Sequence, residues 1–118
     1  KRLKFFDKDV IEWKGGFAMQ AFYSKLLQLH TANPALSVTA PVKILNIPSD
    51  GHILAYYRSS GNDLMLVILN LSPYPARFRI QSLDMNEPCK ELFSGEVKQC
   101  SGDSWFELRQ WGYKVYVK

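Results

Sequence analysis

From residue 37 onward the sequence is cut into short runs of alternating character, separated by turn signals at roughly eight- to twelve-residue intervals. The runs are 42–47, 53–58, 64–71, 76–80, 89–93, 96–100, 105–108 and 111–117. Gly, Pro, Asn, Asp and Ser fill most of the breaks, as in Ser59 to Asp63, Ser72 to Pro75 and Ser101 to Asp103. Alternation assigns two faces to each run. Phe78 and Ile80 oppose Arg77 and Arg79, and Phe106 and Leu108 oppose Trp105, Glu107 and Arg109. In the last run Trp111, Tyr113, Val115 and Val117 oppose Gly112, Lys114, Tyr116 and Lys118. Leu64 to Leu69 is apolar on both faces and is therefore expected in the middle of a sheet. Seven or eight short antiparallel strands of this kind make a sandwich or a barrel, so the chain is expected to be mainly β.

The first region, 1–36, differs from the β-region, 37–118. It opens without a sustained period and then predicts a helix over about residues 17–31. Gly15 and Gly16 mark its entry. Asn33 before Pro34 marks its exit, because the residue before a proline is pushed out of the helical region. Ala18, Phe22, Leu26 and Leu29 share one face, which Tyr23, Leu27 and His30 widen. So wide an apolar face calls for a large surface to lie on. The chain opens on Lys1 with no signal peptide and no apolar run of membrane-spanning length, and is expected to be a piece of something longer.

Composition narrows the function classes. Of 118 residues, 47% are hydrophobic and 14% aromatic, a folding composition rather than a disordered one. The formal charge of +4 raises nucleic acid or anionic membranes as partners. Much of the excess sits at Lys1, Arg2, Lys4, Lys8 and Lys14, no basic-aromatic signature accompanies it, and neither partner is expected. The two cysteines, Cys89 and Cys100, are too few for a disulfide framework or a zinc site. With a two-residue turn at Ser94 and Gly95 they would lie opposite one another and a bridge would be geometrically open. A longer loop destroys that pairing, and two unlinked thiols are the favoured reading.

The stretch from Phe6 to Trp13 resembles the loop before the last barrel helix of alpha-amylase-family glycoside hydrolases. Phe22 to His30, with Asn33 to Leu36, is similar to that helix and its exit, although family members often carry Arg where this chain has His30. Tyr57-Arg58, Leu66 to Ser72, Glu91 to Gly95 and Leu108 to Tyr116 resemble strands of the family's C-terminal domain, with Gln110 near a position where Pro is common. The resemblance implies an eight-stranded antiparallel Greek-key sandwich on a parallel β/α-barrel, from a parent enzyme that hydrolyses or transfers α-linked glucans. It implies a non-catalytic domain that packs on the barrel and stabilises it, through Ala18, Phe22, Leu26 and Leu29. Without the barrel, the chain is then expected to expose that apolar patch, or to bury it by dimerising or by folding it onto the sandwich. No cofactor is expected in this chain. The calcium often required in the family maps to the barrel.

Retaining glycoside hydrolysis needs two carboxyl groups about 5 Å apart across a sugar. In the family these sit on barrel strands absent from this chain, so no catalytic residue is expected. Asp7, Asp9 and Glu12 cluster among lysines and suggest surface ion pairs rather than an active-site rim or cation site. His30 and His52 form no nucleophile–base arrangement. No phosphate loop or metal-ligand spacing is present. A second reading is a carbohydrate-binding module that presents flat rings to glucose units, with Trp13, Trp105, Trp111, Tyr56, Tyr74 and Tyr116 as candidates. Alternation makes Trp105 and Tyr116 the expected exposed rings, and Trp13 lies on the barrel side. An immunoglobulin-like sandwich is disfavoured by the leading helix and the absence of a Cys-Trp-Cys pattern. A nucleic-acid barrel would need Arg77 and Arg79 to join the N-terminal lysines.

Overall fold

The computed structural model describes residues 15, 18–47 and 52–118. The helix α1 spans Gln20–Ala32 and is followed by a 3-10 turn, Pro34–Leu36. Eight strands follow: β1 (Val42–Leu45), β2 (Ile53–Ser60), β3 (Asp63–Asn70), β4 (Ala76–Arg79), β5 (Asn86–Glu91), β6 (Val97–Ser101), β7 (Trp105–Leu108) and β8 (Tyr113–Val117). The mainly-β expectation holds, and each expected run overlaps one strand. They form a six-stranded sheet in the order β1-β2-β3-β8-β5-β6 and a two-stranded sheet, β4-β7. Every pairing is antiparallel. The chain crosses between sheets before and after β4 and before and after β7, the crossing pattern of a Greek key.

β3 sits between β2 and β8, and both its faces are covered. Leu66 and Ile68 point between the sheets, where they meet Leu45, Ala55, Phe78, Ile80, Phe106 and Tyr116. Met65 and Val67 point the other way and pack with Val115, Leu29, Leu36 and Phe93. The large sheet is thus the middle of three layers, with β4 and β7 on one face and α1 with the 3-10 turn on the other. This is the physical reason that β3 is apolar throughout.

Local chemistry sets the connections. The β2–β3 hairpin closes from Ser60 to Asp63, and Gly61 takes φ +60°, the first-position glycine of a type II′ turn. Asn33 Oδ1 accepts from the Ala35 N–H at 2.9 Å and starts the 3-10 turn as α1 ends. Arg58 donates to the carbonyl oxygens of Ser37 (2.7 Å) and Ala40 (2.9 Å), tying the segment after that turn to the sheet.

The two-residue turn that would set the cysteines opposite one another does not form, in line with the favoured reading of two unlinked thiols. Cys89 lies opposite Lys98, and Cys100 opposite Glu87, so the thiols are diagonal neighbours on the inward face. Both are buried and free. The cause is the longer loop between Lys90 and Val97, which shifts the register by two from a two-residue turn.

Candidate functional site

The turn after β5 is built around one carboxylate. Glu91 is buried, and its Oε2 accepts from the backbone N–H groups of Phe93 (2.8 Å) and Ser94. Its Oε1 accepts from the Val115 N–H at 3.4 Å. Burial opposes the charge, but hydrogen bonds from Ser94, Val115 and Phe93 outweigh it and hold the carboxyl below its ordinary range. Gly95, at φ +76°, completes the turn and donates to the Glu91 carbonyl at 3.0 Å.

A second buried polar side chain joins two loops. Asn70 Nδ2 donates to the carbonyl oxygens of Tyr74 (2.7 Å) and Arg109 (3.0 Å), while Oδ1 accepts from the Ser72 N–H (3.1 Å). The Trp111 N–H donates to the Ser72 carbonyl at 3.0 Å, and Trp111 itself is left-handed at φ 54°. That kink is why β8 begins at Tyr113 rather than at the expected residue 111. The loops carry two exposed rings, Tyr74 and Trp111.

Between these fixed turns lies a groove of about 790 Å³. Its walls come from the start of β4, the end of β7, the start of β8 and the turn after β5. Tyr113 forms an aromatic side of it. This ring meets Phe22 (5.7 Å between centroids) and Phe93 (5.4 Å) edge to face and remains 44% exposed. Arg77, Arg109 and Lys114 supply donors; Glu107 supplies an acceptor. Arg77 pairs with Glu107 at 3.2 Å, and Lys114 with Glu96 at 3.9 Å. The groove holds two carboxyl groups, but Glu91 is engaged by backbone N–H groups and Glu107 by Arg77. Held below its ordinary range, Glu91 is not a carboxylic acid kept protonated for proton donation. Among the described residues no group of three or more His, Cys, Asp or Glu is placed to hold a metal ion.

The expected site residues disperse. Trp13, with Asp7, Asp9 and Glu12, lies outside the described residues. Trp105 is 44% exposed, on the outer face of the small sheet, with the Arg77 and Arg79 guanidinium carbons 4.5 and 4.8 Å from its ring centroid. Tyr116 is corrected: it is fully buried, edge to face with Phe106 at 5.8 Å. Alternation separated the two faces of β8 rightly, but at Tyr116 the inward face is covered by the small sheet, so the ring does not reach solvent. Tyr56 is half-buried beneath the helix layer. His30 and His52 are exposed.

The helix stripe is partly rearranged. Phe22, Leu26 and Leu29 are half-buried; Phe22 stacks on Phe93 at 5.2 Å and Leu29 joins the cluster of Met65, Val67 and Val115. Of the outcomes expected for this face, Phe22 and Leu29 follow the one in which it folds onto the sandwich. Ala18 is exposed. The bare apolar stripe is instead Met19, Tyr23 and Leu27, spaced four apart and 52%, 58% and 66% exposed. Sequence reading also missed Tyr113, Glu91 and Arg109 as groove residues. For Tyr113 the available signal was its place after the Trp111-Gly112 break, at a strand start.

No protein-family model matches the chain. The chain is 32% identical over 90 residues to alpha-amylase MalA of Haloarcula japonica, covering 72% of this chain and 13% of that protein. It is 26% identical over 86 residues to the alpha-1,4-glucan:maltose-1-phosphate maltosyltransferase of Salinibacter ruber, covering 70% of this chain and 13% of that one. Its fold matches the trehalulose synthase MutB of Pseudomonas mesoacidophila MX-45 with a TM-score of 0.61 at 28% identity, over 83% of this chain and 17% of that chain. The chain therefore spans about 13% of the length of the curated relatives it matches.

Proposed function

We propose, for a chain whose relatives and structural neighbours are alpha-amylase-family enzymes, a non-catalytic β-domain that packs on and stabilises the catalytic barrel of an enzyme acting on α-glucans. The observation that carries this reading is the second stripe of α1. The helix has no buried residue, one flank rests on the sheet, and Met19, Tyr23 and Leu27 are left bare on the other. An exposed apolar row beside a packed one is the signature of a helix with two partners. In this reading the barrel-facing residues are Met19, Tyr23 and Leu27. Phe22, Leu26 and Leu29 face the β-domain.

The test is Leu27→Asp in two contexts. In the 118-residue chain the position is open to water, and the change should alter unfolding free energy by less than about 0.5 kcal/mol. In the longer enzyme the same carboxylate would be buried at the seam, and the melting temperature should fall by several degrees. Equal small effects in both would overturn the proposal.

A further inference from the structure

We infer that the groove beside Tyr113 is a binding site for a short α-linked glucan. The choice of α-glucan as ligand rests on the functional reading above; the site itself rests on geometry. A volume of about 790 Å³ falls within the roughly 300–1,000 Å³ of small-molecule sites. A pyranose ring has an apolar face edged by hydroxyl groups, so it is recognised by an aromatic ring beside mixed donors and acceptors. The groove provides that set. Tyr113 is the ring, oriented by Phe22 and Phe93 yet 44% exposed. Arg109 and Lys114 are donors on the same walls, and Glu107 is an acceptor.

The charge pattern favours a neutral ligand over an anion. Arg77 is matched by Glu107 at 3.2 Å and Lys114 by Glu96 at 3.9 Å, so these cations are already compensated. The walls are also set before a ligand arrives. The Glu91 carboxylate fixes the turn that bears Phe93 and Ser94. Asn70 fixes the Arg109 carbonyl at 3.0 Å. Such preorganisation lowers the ordering cost of binding. The outer face of the small sheet is a poorer sugar platform, because two guanidinium groups already lie against Trp105.

The experiment is amide chemical-shift mapping of the 118-residue chain titrated with maltoheptaose, with cellohexaose and inorganic phosphate in parallel. The expected result is saturable shifts from maltoheptaose centred on Ser94, Arg109 and Tyr113, and none of comparable size from the other two. Arg109→Ala, at an exposed position, should weaken binding about tenfold, and Trp105→Ala should leave it unchanged. Shifts centred on Trp105, or phosphate acting at the same amides as well as the sugar does, would overturn the proposal. Cellohexaose binding in place of maltoheptaose would overturn the ligand and the parent-enzyme reading together. No shifts from any probe would overturn the groove and leave the barrel-packing reading standing.

Discussion

Asn70 and Arg109 are joined by a hydrogen bond of 3.0 Å from the Asn70 side-chain amide to the Arg109 carbonyl, and this contact locks the β3–β4 loop to the β7–β8 loop. The same amide reaches the Tyr74 carbonyl at 2.7 Å. Asn70 is 2% exposed, so these carbonyls would lose their donor without gaining water freely. Asn70→Leu should therefore cost about 2–4 kcal/mol in urea unfolding. Asn70→Asp, which keeps the shape but donates nothing when ionised, should cost as much.

Gly112 is required by space rather than by a left-handed backbone. A Cβ there would stand 2.7 Å from the Arg109 carbonyl oxygen and 3.1 Å from the Arg109 nitrogen. Both are backbone atoms of a loop already held by Asn70. Gly112→Ala should destabilise by about 1–3 kcal/mol, measured as a shift of the denaturation midpoint at unchanged slope.

The Tyr116 hydroxyl is buried and has no hydrogen-bond partner among the described residues. Burial drives its ionisation far above the ordinary phenol range. Removing the oxygen alone relieves an unmet polar group, so Tyr116→Phe should be neutral or stabilising by up to about 1 kcal/mol. Tyr116→Ala should cost about 3–5 kcal/mol through the cavity it leaves beside Phe106.

Glu91 links stability to pH. Its folded carboxyl lies below the ordinary value of 4.5, so its contribution is fully present above the unfolded value and is lost as pH falls through the folded one. The wild-type chain should exceed Glu91→Gln in stability at pH 7. The gap should narrow on acidification below about pH 4.5, read from urea midpoints across the acid limb. A gap independent of pH would contradict the role given to this carboxylate.

How much of this was legible in the sequence depended on how many covers a strand has. β3 announced its central place because every residue from Leu64 to Leu69 is apolar. Trp105 was placed correctly because β7 has only one covered face. Tyr116 was not, because alternation separates two faces without saying that a helix lies over one and a second sheet over the other. The cysteine register depended on a loop whose length is set by hydrogen bonds from Phe93 and Ser94 to Glu91, and no turn dipeptide reveals them. The groove is assembled from three separate stretches of the chain, 75–77, 91–94 and 107–114, so no local motif marks it. The helix pattern gave its apolar width but not its division into a packed flank at Phe22 and Leu29 and an exposed one at Met19, Tyr23 and Leu27.

The most direct test of the proposed two-partner helix is amide hydrogen exchange along α1, Gln20–Ala32, in the chain alone and in the longer enzyme proposed above. Amides around Tyr23 and Leu27 should exchange markedly more slowly in the longer enzyme, because opening the helix there would also break the proposed barrel contact. Equal exchange in the two settings would contradict it.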